Sequence, residues 1–347
     1  MKILVRATNW VGDAVMSIPA LEAIRSRWPR DEIAILARPW VADLYDGQGC
    51  ADRLLRDDRA GRHRGVFRSE QLASALRRDR FDVAVLLPNS FDAAWVAWRA
   101  GIPERIGYAR DARGFLLTRV VAVPHPGELP AHETYYYLEL LRRAGWLERL
   151  PTVQRIELRV NPALRERAEA FLTRAGARPG SLRIALASGA AYGSAKCWPA
   201  ERYATLADRL IADFGADVIL FGTAAESRVA RRIAAAMRRG AIQLAGETSI
   251  GELPALLAQC HLFIGNDSGA MHVAAAVGLP VVGIFGPTDP RGTAPVTPRF
   301  TLVRQPVSCS PCFLRHCPVD HRCMTRIEVD AVHAAARAWL ARSAQSV

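Results

Sequence analysis

The chain has 347 residues, half of them hydrophobic and 23% charged. That is ample apolar material for a core and too much length for one typical compact unit, so two domains are expected. Its formal net charge of +12 predicts attraction to polyanions, but the arginines are scattered. Neither a Lys/Arg block nor a basic aromatic stripe for stacking bases is present, which argues against nucleic acid as a partner.

The N-terminus reads Met-Lys-Ile-Leu-Val and then meets Arg6. This is too short an apolar run for a secretory leader, so a cytoplasmic place is expected. Ile3 to Val5 predicts a strand, followed by a small polar loop and the helical spacing Val15, Ile18, Leu21, Ile24. Ile33 to Leu36 and Val83 to Leu87 repeat the strand signal, each followed by helical spacing (Val41 to Tyr45, Ala93 to Ala100). His132 to Trp146 reads as a long helix ending near Gly145.

Between Leu147 and Asn161 periodicity lapses around Pro151, and the boundary is placed there: a first lobe 1–155 and a second lobe 156–347, whose last helix is free to pack back on the first. The alternation then resumes. Ile184 to Ala187, Val218 to Phe221, Ile242 to Leu244, Leu262 to Ile264 and Val281 to Phe285 read as strands. Glu201 to Phe214, Ser227 to Arg238, Leu253 to Ala258 and Met271 to Ala276 read as helices. The nearly uncharged stretch Gly269 to Pro287 imitates a membrane span, but its Gly and Pro residues favour a buried helix and strand. The fold class expected is α/β: two doubly wound, Rossmann-like lobes whose ligand crevices lie at the carboxyl ends of the strands and line one central cleft.

Three loops at such strand ends carry chemistry. Thr8-Asn9-Trp10-Val11-Gly12-Asp13 lacks the G-x-G-x-x-G dinucleotide spacing. Asp13 there is either a helix cap or a general base. Asn266-Asp267-Ser268-Gly269-Ala270-Met271-His272 leaves a strand and opens a helix, where backbone amides with Ser268 and Gly269 suit a diphosphate. Asp267 as a cap and His272 as a core histidine are the plainer readings. Ser188 to Pro199 offers small residues and Lys196, which can neutralise phosphate charge.

Taken in order, Gly12-Asp13, Lys196-Cys197-Trp198-Pro199, Phe221-Gly222, Ala245-Gly246-Glu247-Thr248, Asn266 to His272 and Phe285-Gly286-Pro287-Thr288 resemble the ADP-heptose:lipopolysaccharide heptosyltransferase family across nearly the whole chain. Asn9 to Asp13 and Leu87 to Phe91 are most similar to its heptosyltransferase II branch. The resemblance implies a GT-B fold and inverting transfer of heptose from ADP-heptose to the lipopolysaccharide inner core, onto the first heptose. Heptosyltransferase I or III activity is the alternative within the family. A nucleotide-sugar epimerase or a non-catalytic ADP-sugar-binding protein is the alternative outside it. It further implies Asp13 as catalytic base, with Ser188, Lys196, Asp267, Ser268, Gly269 and His272 at the donor and Glu247 at its ribose. No cofactor is required for the chemistry.

The implied acceptor is a lipid-anchored core bearing carboxylates and phosphates. Asn9, Trp10, Arg59, Arg62, Arg64, Arg105, Arg110 and Arg113 are the acceptor-binding candidates, since arginine suits both anions. Together they also suit peripheral docking on the anionic inner face of the inner membrane. Finally, Cys309-x2-Cys312-x4-Cys317-x5-Cys323 has spacing compatible with a structural zinc site. Packed thiols are the other structural reading.

Overall fold

The computed structural model describes residues 1–58 and 68–344. The chain divides into two compact units, Met1–Val153 and Gln154–Val347.

The first unit is built on β1 (Lys2–Arg6), β2 (Glu32–Ala37), β3 (Arg53–Arg56), β4 (Val83–Leu86), β5 (Glu104–Tyr108) and β6 (Arg119–Val121). They form one parallel sheet in the order β3-β2-β1-β4-β5-β6. Val5 of β1 lies opposite Ile35 and Val85. Helices cover both faces, so the central strands are continuous apolar runs without polar alternation. One helix expected after β1 is in fact two, Val11–Met16 and Ile18–Arg27. Pro19 cannot donate in a helix interior but fits a first turn, and the Ser17 hydroxyl donates back to the Ala14 carbonyl at 2.8 Å.

The second unit repeats the plan with β7 (Arg183–Ala187), β8 (Asp217–Phe221), β9 (Ile242–Gln243), β10 (Leu262–Asn266), β11 (Val281–Phe285) and β12 (Phe300–Arg304), ordered β12-β11-β10-β7-β8-β9. Counted from β7, this is the same doubly wound order as the first sheet. The uncharged stretch after β10 resolves into the buried helix Gly269–Ala276 and the buried strand β11. Among the described residues no helix is long and apolar enough to cross a membrane. The closing helix Val329–Ala344 places Val332, Ala336 and Leu340 in the second unit's own core, beside Leu206 and Leu210. This stripe is buried within the second unit.

In an open parallel sheet the ligand crevice forms where connections depart to opposite faces. That point lies between β1 and β4 in the first unit and between β7 and β10 in the second. The loops leaving those four strands carry Asp13, Asn89, Ser188 and Asp267.

Candidate active site

At the switch point of the second unit, side chains tie the two loops together. Asn266, fully buried at the end of β10, donates from Nδ2 to the Ser188 carbonyl at 2.6 Å. Its Oδ1 accepts from the Trp198 amide at 3.1 Å and the Tyr203 hydroxyl at 3.0 Å. Trp198 is itself buried and donates from Nε1 to the Ile327 carbonyl at 2.9 Å. One amide side chain thus fixes both loops of the crevice, a task its place in the Asn266 to His272 motif does not reveal.

Lys196 lies on the framed loop and reaches Asp267 Oδ2 at 2.6 Å, with both side chains nearly out of solvent. The same oxygen accepts from Thr288 Oγ1 at 2.7 Å and Thr293 Oγ1 at 3.4 Å. Asp267 is thereby an aiming device for the lysine. A carboxylate placed directly against a diphosphate would repel it, whereas one holding an ammonium beside the helix start does not. Ser268 caps the helix Gly269–Ala276 by position only: its Oγ is buried and has no hydrogen-bond partner. His272 follows four residues later on the same face and is buried.

The second unit also holds a carboxylate that sequence reasoning missed. Glu226 follows β8 and accepts from the Thr223 amide at 2.7 Å and its hydroxyl at 2.9 Å. It lies so close to Gly189, on the loop after β7, that a Cβ there would collide with the carboxyl group. The Thr223-x-x-Glu226 capping box was the available signal. Glu247, the expected ribose contact, is exposed on the loop beyond β9.

The cysteine segment is fastened to the lysine loop. The Tyr192 hydroxyl donates to the Phe313 carbonyl at 2.6 Å, the Ala195 amide to the Arg315 carbonyl at 3.0 Å, and His321 Nε2 meets the Ala195 carbonyl at 2.6 Å. Gly193 leaves no room for a side chain against the Arg315 backbone. Lys196 and Arg315 both stack on the Tyr192 ring, at 4.9 and 5.4 Å from its centroid. Cys309, Cys312, Cys317 and Cys323 line a single cavity with His321. Among the described residues, however, no group of three or more His, Cys, Asp or Glu is arranged to hold a metal ion. The donor set suits zinc; its present spacing does not.

In the first unit Asp13 stands in the first turn of the helix Val11–Met16. Its carboxylate acts electrostatically on Tyr137, whose hydroxyl is held well above its ordinary range by burial first and by the charges of Asp13 and Glu133 after it. Glu133 has its own carboxyl pushed up by burial, opposed by Arg110.

Several acceptor candidates have structural duties here. Asn9 Oδ1 accepts from Arg6 at 3.0 Å, and the Asn9 carbonyl accepts from Trp40 Nε1 at 2.9 Å. Trp10 stands 47% exposed beside it. Arg113 is corrected out of the acceptor set: it is fully buried, donating to the carbonyls of Pro88, Ser90 (3.4 Å) and Tyr108 (3.0 Å) and to Asn89 Oδ1 at 3.3 Å. Burial pulls its guanidinium down to about 10, still charged at neutral pH. Arg105 is likewise spent on the carbonyls of Leu116, Ile102 and Pro103, at 2.6, 2.5 and 3.2 Å. A planar fork with five donors serves as a loop clamp wherever carbonyls converge, and sequence spacing cannot tell that use from anion binding. Arg110 remains exposed. Arg59, Arg62 and Arg64 lie outside the described residues.

Beneath Asn9, the fully buried Asp57 pairs with Arg6 at 3.2 Å and Arg38 at 3.5 Å. Asp57→Ala should cost about 3–5 kcal/mol, because it strands buried cations. Urea unfolding checks this, and a change below 1 kcal/mol would deny the pair its structural weight.

Two doubly wound parallel sheets of this order define the GT-B class of glycosyltransferase fold. The model of glycosyltransferase family 9 (heptosyltransferase) matches residues 69–322. The chain is 32% identical to lipopolysaccharide heptosyltransferase 2 of Escherichia coli and 30% identical to lipooligosaccharide heptosyltransferase 2 of Haemophilus influenzae, in each case over 88% of both chains. The solved structure of E. coli ADP-heptose lps heptosyltransferase II is similar with a TM-score of 0.84 and 29% identity, over 99% of each chain. The chain belongs to glycosyltransferase family 9, the heptosyltransferases, and is a glycosyltransferase.

Proposed function

We propose that this enzyme transfers L-glycero-D-manno-heptose from ADP-heptose to the lipopolysaccharide inner core, onto the first heptose, with inversion. The observation that carries the reading is the convergence of the Asn266 frame, the Lys196–Asp267 pair at 2.6 Å and the start of the helix Gly269–Ala276 at one switch point. That arrangement suits a nucleoside diphosphate. Relatives named heptosyltransferase 2, at 30% identity or more, support the choice of sugar and step.

In the proposed reaction the acceptor hydroxyl oxygen attacks the anomeric carbon from the face opposite ADP. The bond from that carbon to the phosphate oxygen breaks, and its electron pair leaves on ADP. Asp13 takes the acceptor proton. Lys196, the amides at the helix start, Ser268 and the nearby Arg315 stabilise charge developing on the diphosphate. Ser188 and Gly269 shape the phosphate approach, and His272 lies one turn into the helix behind it. Asn9, Trp10 and Arg110 are the described residues open to the acceptor, with Arg59, Arg62 and Arg64 as further candidates.

In Rossmann-type units the carboxylate after the second strand binds the ribose hydroxyls. Glu226 holds that place after β8, so the ribose contact is assigned to it ahead of Glu247. Glu226→Gln should weaken ADP binding about tenfold in calorimetry, and Glu247→Gln should change it less. The reverse ranking would restore Glu247.

Because the proposed acceptor is lipid-anchored and the chain carries a charge of +12, the enzyme is placed in the cytoplasm, peripherally on the inner face of the inner membrane. The cysteine segment is read as a structural clamp on the lysine loop. Zinc would require its four sulfurs to close to about 2.3 Å from the ion. One equivalent of zinc in protein purified without added metal would support that closure; none would leave packed thiols as the clamp. Incubation of ADP-heptose with enzyme alone tests the reaction class: the sugar should persist, and conversion without acceptor would favour an epimerase.

A further inference from the structure

The first unit carries an aromatic face that its core takes up only in part: Trp95 is half-buried against the core, while its aromatic neighbours stand in solvent. The helix Phe91–Arg99 follows β4, and its Phe91, Trp95 and Trp98 recur at spacings of four and three, on one side of the helix. Its opposite side is conventionally buried through Ala93, Ala94, Val96 and Ala97. Phe91 stacks on Trp95 at 6.1 Å, Trp95 meets Trp98 at 5.1 Å, and Phe115, from the turn Gly114–Leu116, reaches Phe91 at 6.1 Å. The patch is therefore continuous, yet Phe91 is 42% exposed, Trp98 41% and Phe115 76%. Single exposed apolar residues are ordinary, whereas a contiguous aromatic group marks a binding surface.

Charge selects the occupant. Arg99 lies over both tryptophan rings, at 6.0 and 5.7 Å, and pairs with Glu70 at 2.7 Å; the helix Arg68–Asp79 packed alongside exposes Arg68, Arg77 and Arg78, of which Arg77 also faces Glu70 at 3.9 Å, so the border keeps a net positive charge. Indoles and phenyl rings bordered by arginines match the region between lipid headgroups and acyl chains, where the rings enter and the cations meet phosphate. A second copy would bring the same basic border, on a chain of +12, against itself. We infer that the Phe91–Trp95–Trp98–Phe115 face docks on an anionic phospholipid membrane by shallow insertion of its aromatic rings. The inference rests on the proposed function only for the advantage it gives, access to a lipid-anchored acceptor whose sugars would lie near the β4 loop at the start of this helix.

The test uses the full chain with vesicles of phosphatidylethanolamine and phosphatidylglycerol, some with brominated acyl chains. Wild-type enzyme should sediment with these vesicles, bind more weakly as salt rises, and lose tryptophan emission to the bromines. The double variant Trp98→Ser with Phe115→Ser, shown folded by circular dichroism, should bind at least roughly tenfold more weakly. It should transfer heptose to a delipidated core oligosaccharide as wild type does. Undiminished vesicle binding by the folded variant would overturn the inference, and so would a wild-type dimer that the variant abolishes, since the occupant would then be a second copy. Absence of transfer by both proteins, with vesicle binding lost only in the variant, would sink the proposed function and leave the docking surface standing.

Discussion

Asp13→Asn should lower kcat by about 10²–10⁴-fold while leaving ADP affinity within about twofold of wild type. Asparagine keeps the shape of aspartate but cannot accept a proton. Trp10 holds the cap position, and an acidic side chain whose only task in the first turn is to complement the helix dipole would tolerate that exchange at a cost of about 0.3–1 kcal/mol. Asp13 lies in the first turn after β1, and the nucleotide-binding groups proposed here all belong to the second unit, so the chemical step should fail while nucleotide binding persists. Steady-state kinetics with calorimetry on one preparation separates the two. Equal loss of kcat and of ADP binding in a folded variant would remove Asp13 from its role as base.

The second large effect is expected at the Lys196–Asp267 pair. Lys196→Met should reduce kcat/KM about 10²–10³-fold, because the diphosphate loses its aimed cation. It should also destabilise the fold by about 3 kcal/mol, since Asp267 is left charged and buried. The Thr288 and Thr293 hydroxyls soften that cost without cancelling it. Adding Asp267→Asn to Lys196→Met should recover most of the stability and none of the activity. A double variant regaining activity would show that the pair serves packing alone. Thermal unfolding and initial rates on the four members of the cycle decide it.

What the sequence made legible was whatever repeats or punctuates. The central strands read as apolar runs because both faces of a parallel sheet are covered, and the loops after β1, β7 and β10 stood out through their small residues and charges. Strands away from the sheet centre were less visible: the edge strand β3 is Arg53-Leu-Leu-Arg56 and β5 is interrupted by Arg105 and Gly107, so neither shows a clean run. The division of labour among arginines was hidden altogether. Arg113 and Arg110 lie three residues apart in one loop, yet one is buried among carbonyls and the other faces solvent. The place of Glu226 in the crevice is not legible because Gly189, which it crowds, is distant in sequence, and only the pairing of β7 with β8 brings the two loops together. The Asn266 frame likewise depends on partners 63 to 78 residues away.

Mass spectrometry of the products formed from ADP-heptose and core lipids truncated at successive sugars tests the central claim most directly. The account predicts one added heptose and one ADP released, with the acceptor that ends in a single heptose preferred over the core that carries none. Heptose transfer to the heptose-free core alone, or release of ADP with no sugar gained by any acceptor, would contradict it.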